Sequence, residues 1–286
     1  MEDVSIKRDL LPLVREALKG RYEVEREIAR GGAARVFLAL GSDGSRVALK
    51  ILHPELAVSV TADRFLREIS FLSRIDHPNI SKLLDYGEND WLIYYVMSYV
   101  EGPTLREHLQ QVKQASVSDT LRVAEDLLSA LSYAHELGIV HRDVKPDNVV
   151  LSTGGPVLMD FGIARAIAQS GQDRLTRSGF AVGTSTYMSP EQVAGEEDID
   201  HRSDFYSLGC VLFECLTGRP PFMSSREEMV LSMHHEQVPP DLRSLRADAP
   251  DSLVRVVSRA LEKSPEDRWK SAQEMKDALR CDSSSA

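Results

Sequence analysis

The hydrophobic pattern of this chain changes period once, near residue 100, and that change limits what it can fold into. Before it, Tyr22 to Ala29, Ala34 to Leu40, Arg46 to Leu52, Lys82 to Tyr86 and Trp91 to Met97 are short β-prone runs. Gly41-Ser42-Asp43-Gly44-Ser45 reads as a hairpin turn between the second and third. A single helical run interrupts them, with Thr61 as N-cap and Phe65, Ile69, Leu72 and Ile75 on one face, stopped by His77-Pro78-Asn79. After Ser98-Tyr99-Val100-Glu101-Gly102-Pro103 the pattern is helical. Thr104 to Glu107 is a capping box, and Leu121, Ala124, Leu128, Leu131 and His135 mark a helix ended by Gly138. Further helices are expected over Ser203–Leu216, Ser225–Met233, Asp251–Leu261 and Ser271–Leu279, with capping boxes at Ser225/Glu228 and Ser271/Glu274. The fold class is α+β and bilobal: a small antiparallel sheet with one main helix, then a larger, mostly helical lobe.

The expected boundaries are 1–20 for an N-terminal helical extension, 21–98 for the small lobe, 99–281 for the large lobe and 282–286 for a disordered tail. In the extension Leu11, Val14, Ala17 and Leu18 share one helical face before Gly20, so it is expected to dock on the domain after it. A net charge of −10 argues against nonspecific nucleic-acid binding, which needs a basic face. The longest apolar run, Trp91 to Val100, is too short to span a bilayer. Cys210, Cys215 and Cys281 show no metal spacing; the first two sit in an apolar run and read as buried small hydrophobes in a reducing cytosol.

The chemistry concentrates in His141-Arg142-Asp143-Val144-Lys145-Pro146-Asp147-Asn148. Eight residues hold a potential base, a fixed cation and an amide, between a periodic helix and two short apolar runs. The second run, Val157-Leu158-Met159, leads into Asp160-Phe161-Gly162. Two strands joined through Ser152 to Gly155 would bring Asp143, Asn148 and Asp160 to one mouth. Oxygen donors converging beside a lysine suit a hard divalent cation carrying phosphate oxygens.

These motifs resemble those of the bacterial eukaryotic-like (Hanks-type) serine/threonine protein kinases, from about Tyr22 to Leu279. The resemblance implies a protein kinase that transfers the ATP γ-phosphate to Ser/Thr hydroxyls of proteins. In that scheme Lys50, in Val47-Ala48-Leu49-Lys50, neutralises the α- and β-phosphates and is held by Glu68. Asp143 orients the substrate hydroxyl and Lys145 faces the γ-phosphate. Asn148 and Asp160 hold Mg²⁺ or Mn²⁺. Val36, Ala48 and Val150 sandwich the adenine, and Met97, Ser98, Tyr99 and Val100 form the hinge beside it. Thr184, in Gly183-Thr184-Ser185-Thr186-Tyr187-Met188-Ser189-Pro190-Glu191, bonds to Asp143 and Lys145 in the segment that receives the substrate. Glu191 pairs with Arg268, and Asp204 accepts backbone N–H groups of the loop around Arg142. His141, Phe161, Leu72 and Leu83 match the family's regulatory hydrophobic column.

One departure stands out. The phosphate-covering loop should read Gly-x-Gly-x-x-Gly, but Ala29-Arg30-Gly31-Gly32-Ala33-Ala34 keeps only the middle glycine and its neighbour. Alanine disfavours positive φ and adds a methyl where backbone approaches phosphate, so weaker ATP binding is expected. A pseudokinase would more often lose Lys50, Asp143 or Asp160, and a small-molecule kinase would lack the long segment from Asp160 to Glu191; neither loss occurs. Thr176 and Ser178 occupy positions resembling autophosphorylated residues of the bacterial family, where a phosphate would bridge to Arg142. A homodimer through the small lobe for trans-autophosphorylation is a further expectation. So is a cytoplasmic location, either alone or as the cytosolic kinase domain of a longer membrane protein.

Overall fold

The computed structural model describes residues 9–31, 34–53, 62–89, 92–161 and 185–280, and for 62–64 and 68 the backbone only. Thr61, Gly32, Ala33, Trp91, Thr176, Ser178, Thr184 and Cys281 lie outside the described residues. The chain forms two compact units. The first holds residues 9–74 and 82–99; the second holds 75–81, 100–161 and 185–280. No described helix is long and apolar enough to cross a membrane.

The first unit is a five-stranded antiparallel sheet, in the order β1-β2-β3-β5-β4, with β1 Glu23–Arg30, β2 Ala34–Leu40, β3 Arg46–Leu52, β4 Leu83–Asn89 and β5 Leu92–Ser98. The β2–β3 turn closes as expected: Gly41 N–H donates to Ser45 O at 2.9 Å, and Gly44 takes φ +77°. Strand periodicity sorts the side chains. Phe37, Ala39, Val47, Leu49, Ile51, Tyr94 and Val96 join one buried cluster. Leu10, Val14 and Leu18, of or beside helix α1 (Leu11–Ala17), complete that cluster, so the N-terminal extension is part of this unit's core. Arg15 fastens α1 to the edge strand, donating to Val24 O and Glu25 O at 2.8 and 2.6 Å.

The alternate residues Val36, Leu38, Ala48, Lys50, Tyr95 and Met97 point to the other face, because Val36 stands opposite Lys50, Lys50 opposite Tyr95, and Ala48 opposite Met97. Helix α2 (Ala62–Ser70) packs there, with Phe65 against Tyr95 at 6.3 Å between ring centroids. The helix expected to run on to Ile75 instead tightens into a 3₁₀ turn over Phe71–Arg74. Ser70 and Ser73 hydroxyls donate to the carbonyls of Arg67 and Ser70, drawing on backbone acceptors that an α-helix would use. Leu72 and Ile75 still bury.

In the second unit, α3 (Leu105–Val112) starts with the expected reciprocal box, Thr104 with Glu107. Helix α4 (Val117–Glu136) comes next, then the hairpin β6 (Val149–Ser152) and β7 (Gly155–Leu158). Helices α5 (Pro190–Ala194), α6 (Arg202–Thr217), α7 (Glu227–Glu236), α8 (Leu242–Leu245), α9 (Asp251–Ala260) and α10 (Ala272–Arg280) follow among the described residues. The central α6 is buried from Ser203 to Leu216, including the free thiols Cys210 and Cys215, whose pKa values burial raises.

Two capping expectations need correction. Helix α7 begins at Glu227 with Arg226 as N-cap and no side-chain cap, so the Ser225/Glu228 box does not form; Ser224 Oγ accepts from Arg226 N instead. At α10 only half of the box forms. Ser271 Oγ accepts from Glu274 N at 3.1 Å, but the Glu274 carboxylate takes the N–H of Lys270, one residue earlier.

Candidate active site

The loop from His141 to Asn148 is built from its backbone outward. Gly138 (φ +73°) ends the turn after α4, and the chain then passes over the buried carboxylate of Asp204 on α6. That carboxylate accepts the N–H of His141 at 2.8 Å and of Arg142 at 2.7 Å, while His135 Nε2 lies 2.8 Å away. Burial alone would raise the Asp204 pKa; the His135 hydrogen bond and the backbone N–H of His141 hold it below the ordinary carboxylate range. Arg142 takes φ +68°, a left-handed turn that a non-glycine residue adopts only when its surroundings hold it there. Its carbonyl accepts from Gln192 Nε2 at 2.8 Å, and its Nη2 donates to Ile199 O at 2.9 Å.

His141 is fully buried, and its hydrogen bonds fix its tautomer. Asp143 N–H donates to Nδ1 at 3.1 Å, so the ring proton sits on Nε2 and reaches Met159 O at 2.7 Å. Its ring also meets Phe161 edge-on at 4.6 Å. One imidazole thereby ties the start of the loop to the residue before Asp160.

Asp143 is the hub. Lys145 Nζ lies 2.9 and 2.7 Å from its two carboxylate oxygens, and Asn148 Nδ2 donates to its carbonyl at 2.8 Å and its carboxylate at 2.9 Å. With Nδ2 committed to Asp143, the acceptor that Asn148 can offer is its side-chain carbonyl oxygen. The hairpin register places Val149 opposite Leu158, and Met159 N–H donates to Asn148 O at 2.8 Å, so Asn148 and Asp160 leave the same end of the ladder. Asp160 also takes φ +62°, a second held left-handed residue. An amide oxygen and a carboxylate at one mouth fit a hard divalent cation that completes its shell with phosphate and water.

The segment after the loop is anchored from below. Glu191 accepts from Arg268 Nη1 and Nη2 at 2.7 and 2.8 Å, and also from the Ser203 hydroxyl. Burial alone would raise the Glu191 pKa, but the arginine and the serine bond bring it below its ordinary value. A knot that sequence reasoning missed joins Arg106 of α3 to three other elements. Arg106 donates to Glu214 at 2.6 Å, to Asp147 at 3.3 Å and to the Tyr187 hydroxyl, which itself donates to Glu214 at 2.5 Å. These residues are up to 108 positions apart, so no local pattern pairs them.

In the first unit, Val36, Ala48, Lys50 and Met97 share the sheet face that α2 covers, and Glu68 belongs to α2. The Glu68 side chain lies outside the described residues. Ala29 and Arg30 end β1, and Gly31 N–H donates to Ala34 O at 2.9 Å across the start of β2. Among the described residues only Lys113, Arg142 and Asp160 combine positive φ with a side chain, so neither Ala29 nor Ala34 carries the backbone cost expected of an alanine in place of glycine. Ser98, whose hydroxyl accepts from Lys82 N at 3.0 Å, and Tyr99 close this unit; Val100 opens the second, which also holds Val150.

A pinned loop with an Asp-Lys-Asn constellation, leading through a hairpin to a left-handed Asp160, defines the protein kinase class, and the protein kinase domain model matches residues 22–279. The chain belongs to that family, whose members use ATP and a divalent metal on protein substrates. It is 41% identical over 266 residues to the probable serine/threonine-protein kinase SCO3848 of Streptomyces coelicolor, covering 91% of this chain and 39% of that protein. It is equally similar, at 41% over 268 and 270 residues, to the serine/threonine-protein kinases PknB of Mycolicibacterium smegmatis and Mycobacterium tuberculosis, covering 91% of this chain and 42% of each. The chain therefore spans about two-fifths of the length of these relatives.

Proposed function

We propose that this chain is a catalytic domain that transfers the γ-phosphate of Mg²⁺-bound ATP to serine or threonine hydroxyls of proteins. The observation that carries the reading is the Asp143 carboxylate, held at hydrogen-bond distance by Lys145 and Asn148 in a loop fixed on Asp204. Its relatives carry the serine/threonine-protein kinase name, and Lys145 stands two residues after Asp143, as in kinases of that class. Asp143 accepts and orients the acceptor hydroxyl, a role worth about 10²- to 10⁴-fold. Lys145 supplies positive charge next to it, and Lys50 does the same for the phosphates nearer the nucleoside. Asn148 and Asp160 hold the metal, Mg²⁺ or Mn²⁺, which offsets charge on the phosphate oxygens when bound.

Incubation with Mg-ATP and subsequent mass analysis tests this. The parent adds phosphate to itself or to an acceptor protein, while Asp143→Asn and Asp160→Asn fold like the parent and add none. Turnover by Asp160→Asn at the parent rate would remove the metal assignment. We propose further that phosphorylation at Thr176 or Ser178 draws on Arg142, that a small-lobe homodimer supports it in trans, and that the domain works in the cytoplasm. Full activity of a Thr176→Ala/Ser178→Ala variant would remove that switch.

A further inference from the structure

None of the roles above uses His234, although its imidazole is completely buried on α7. Nε2 lies 3.0 Å from the carbonyl oxygen of Thr186, and Nδ1 lies 3.0 Å from the Tyr206 hydroxyl of α6. A carbonyl only accepts, so Nε2 carries the proton and Nδ1 accepts from the tyrosine. Burial and the neighbouring Lys263 charge push the imidazole down to about 4, which keeps it in this neutral, one-proton form. Lys263 completes the arrangement. Its Nζ donates to His234 O at 2.7 Å and Met233 O at 3.1 Å, at the C-terminal end of α7, where a cation complements the last carbonyls. It also sits 4.4 Å from the centre of the Phe222 ring. Beside it, Ser207 Oγ donates to Tyr187 O at 2.7 Å. Two consecutive carbonyls, Thr186 and Tyr187, are therefore held from inside the domain, just after Thr184.

We infer that His234 is a positioning residue for the protein acceptor, setting the backbone after Thr184 through the carbonyl of Thr186. The inference rests on the kinase reading above and deepens it. Its partners among the described residues, Thr186, Tyr206, Phe222 and Lys263, include no residue assigned above to nucleotide or metal, so its loss should fall on acceptor use. Removing its donor takes that partner from a half-buried carbonyl and lets the segment that the acceptor lies against shift.

The test is steady-state kinetics of His234→Leu, His234→Gln and Tyr206→Phe, with dephosphorylated casein and ATP varied separately. The leucine variant, which keeps volume and loses the donor, is expected to raise the Michaelis constant for casein about tenfold, the worth of one hydrogen bond. Its Michaelis constant for ATP should stay within about twofold of the parent, so the two substrates separate clearly. Glutamine, whose amide can reach the same carbonyl, should restore casein use to within about threefold. If the leucine variant does not fold, Tyr206→Phe carries the test by removing the second hold on the ring; a selective rise for casein is again expected. Equal changes for casein and ATP, or a fall in turnover number alone, would make His234 a purely structural residue and overturn the inference. An inactive parent defeats the kinase reading and the inference together. An active parent with unchanged casein use in the leucine and phenylalanine variants defeats the inference alone.

Discussion

Replacing Glu191 by glutamine should be among the most destabilising isosteric changes available to this domain. Arg268 is completely buried and Glu191 is 5% exposed, so water cannot take over when the carboxylate charge is removed. The guanidinium keeps three neutral acceptors, the carbonyls of Glu262 and Lys263 at 2.8 Å and Arg202 at 3.2 Å. Breaking one side of a buried pair costs about 3–5 kcal/mol, and these carbonyls place the expected loss at the lower end, about 3 kcal/mol. For a domain of this size that lowers Tm by about 6–12 °C. Urea denaturation monitored by the fluorescence of Trp269, buried next to Arg268, would read it directly. The double variant Glu191→Gln/Arg268→Met removes both charges and should lose clearly less than the sum of the single changes, by at least about 1 kcal/mol. A single-variant loss below about 1 kcal/mol, or strict additivity, would refute the view that the buried charge is what the pair balances.

The same geometry gives three further outcomes. Val14→Ala should destabilise by about 2 kcal/mol, measured by urea melts, because Val14 is fully buried in the cluster shared with the sheet; a surface-like change would mean α1 is dispensable. Ala29→Gly should lower stability by about 0.5–1 kcal/mol and leave the Michaelis constant for ATP unchanged, since Ala29 pairs with Val36 in extended backbone; a tighter constant would show that the methyl does obstruct the phosphates. Between pH 6.5 and 4 the unfolded chain protonates His234 and the folded one does not, because the folded value is depressed to about 4. Its contribution, of order 3 kcal/mol, is complete above pH 6.5 and falls away as pH drops through that window, so His234→Gln should flatten the pH dependence of unfolding there.

Local sequence determined the elements whose causes are local. Alternation in β2 and β3 separates the Phe37–Leu49 face from the Val36–Lys50 face, because side-chain direction in a strand depends only on residue parity. The Thr104 cap, the Gly44 turn and the 141–160 loop-hairpin were legible for the same reason: each is made by residues a few positions apart. Local signals failed where several local partners competed for one group, as at Ser70, Ser224 and Glu274.

Tertiary structure alone decided which distant side chains meet. Asp204 reaches the loop 62 residues before it, Arg106 gathers Asp147, Tyr187 and Glu214, and His234 finds Thr186 across 48 residues. Their sequence separations carry no period to read. Asp204 and His234 are fully buried and Arg106 is largely so, and a polar group taken from water must be satisfied by whatever the packing of α6 and its neighbours brings within reach. The positive φ of Arg142 and Asp160 belongs to the same class: neither residue prefers it, and only the surrounding contacts impose it.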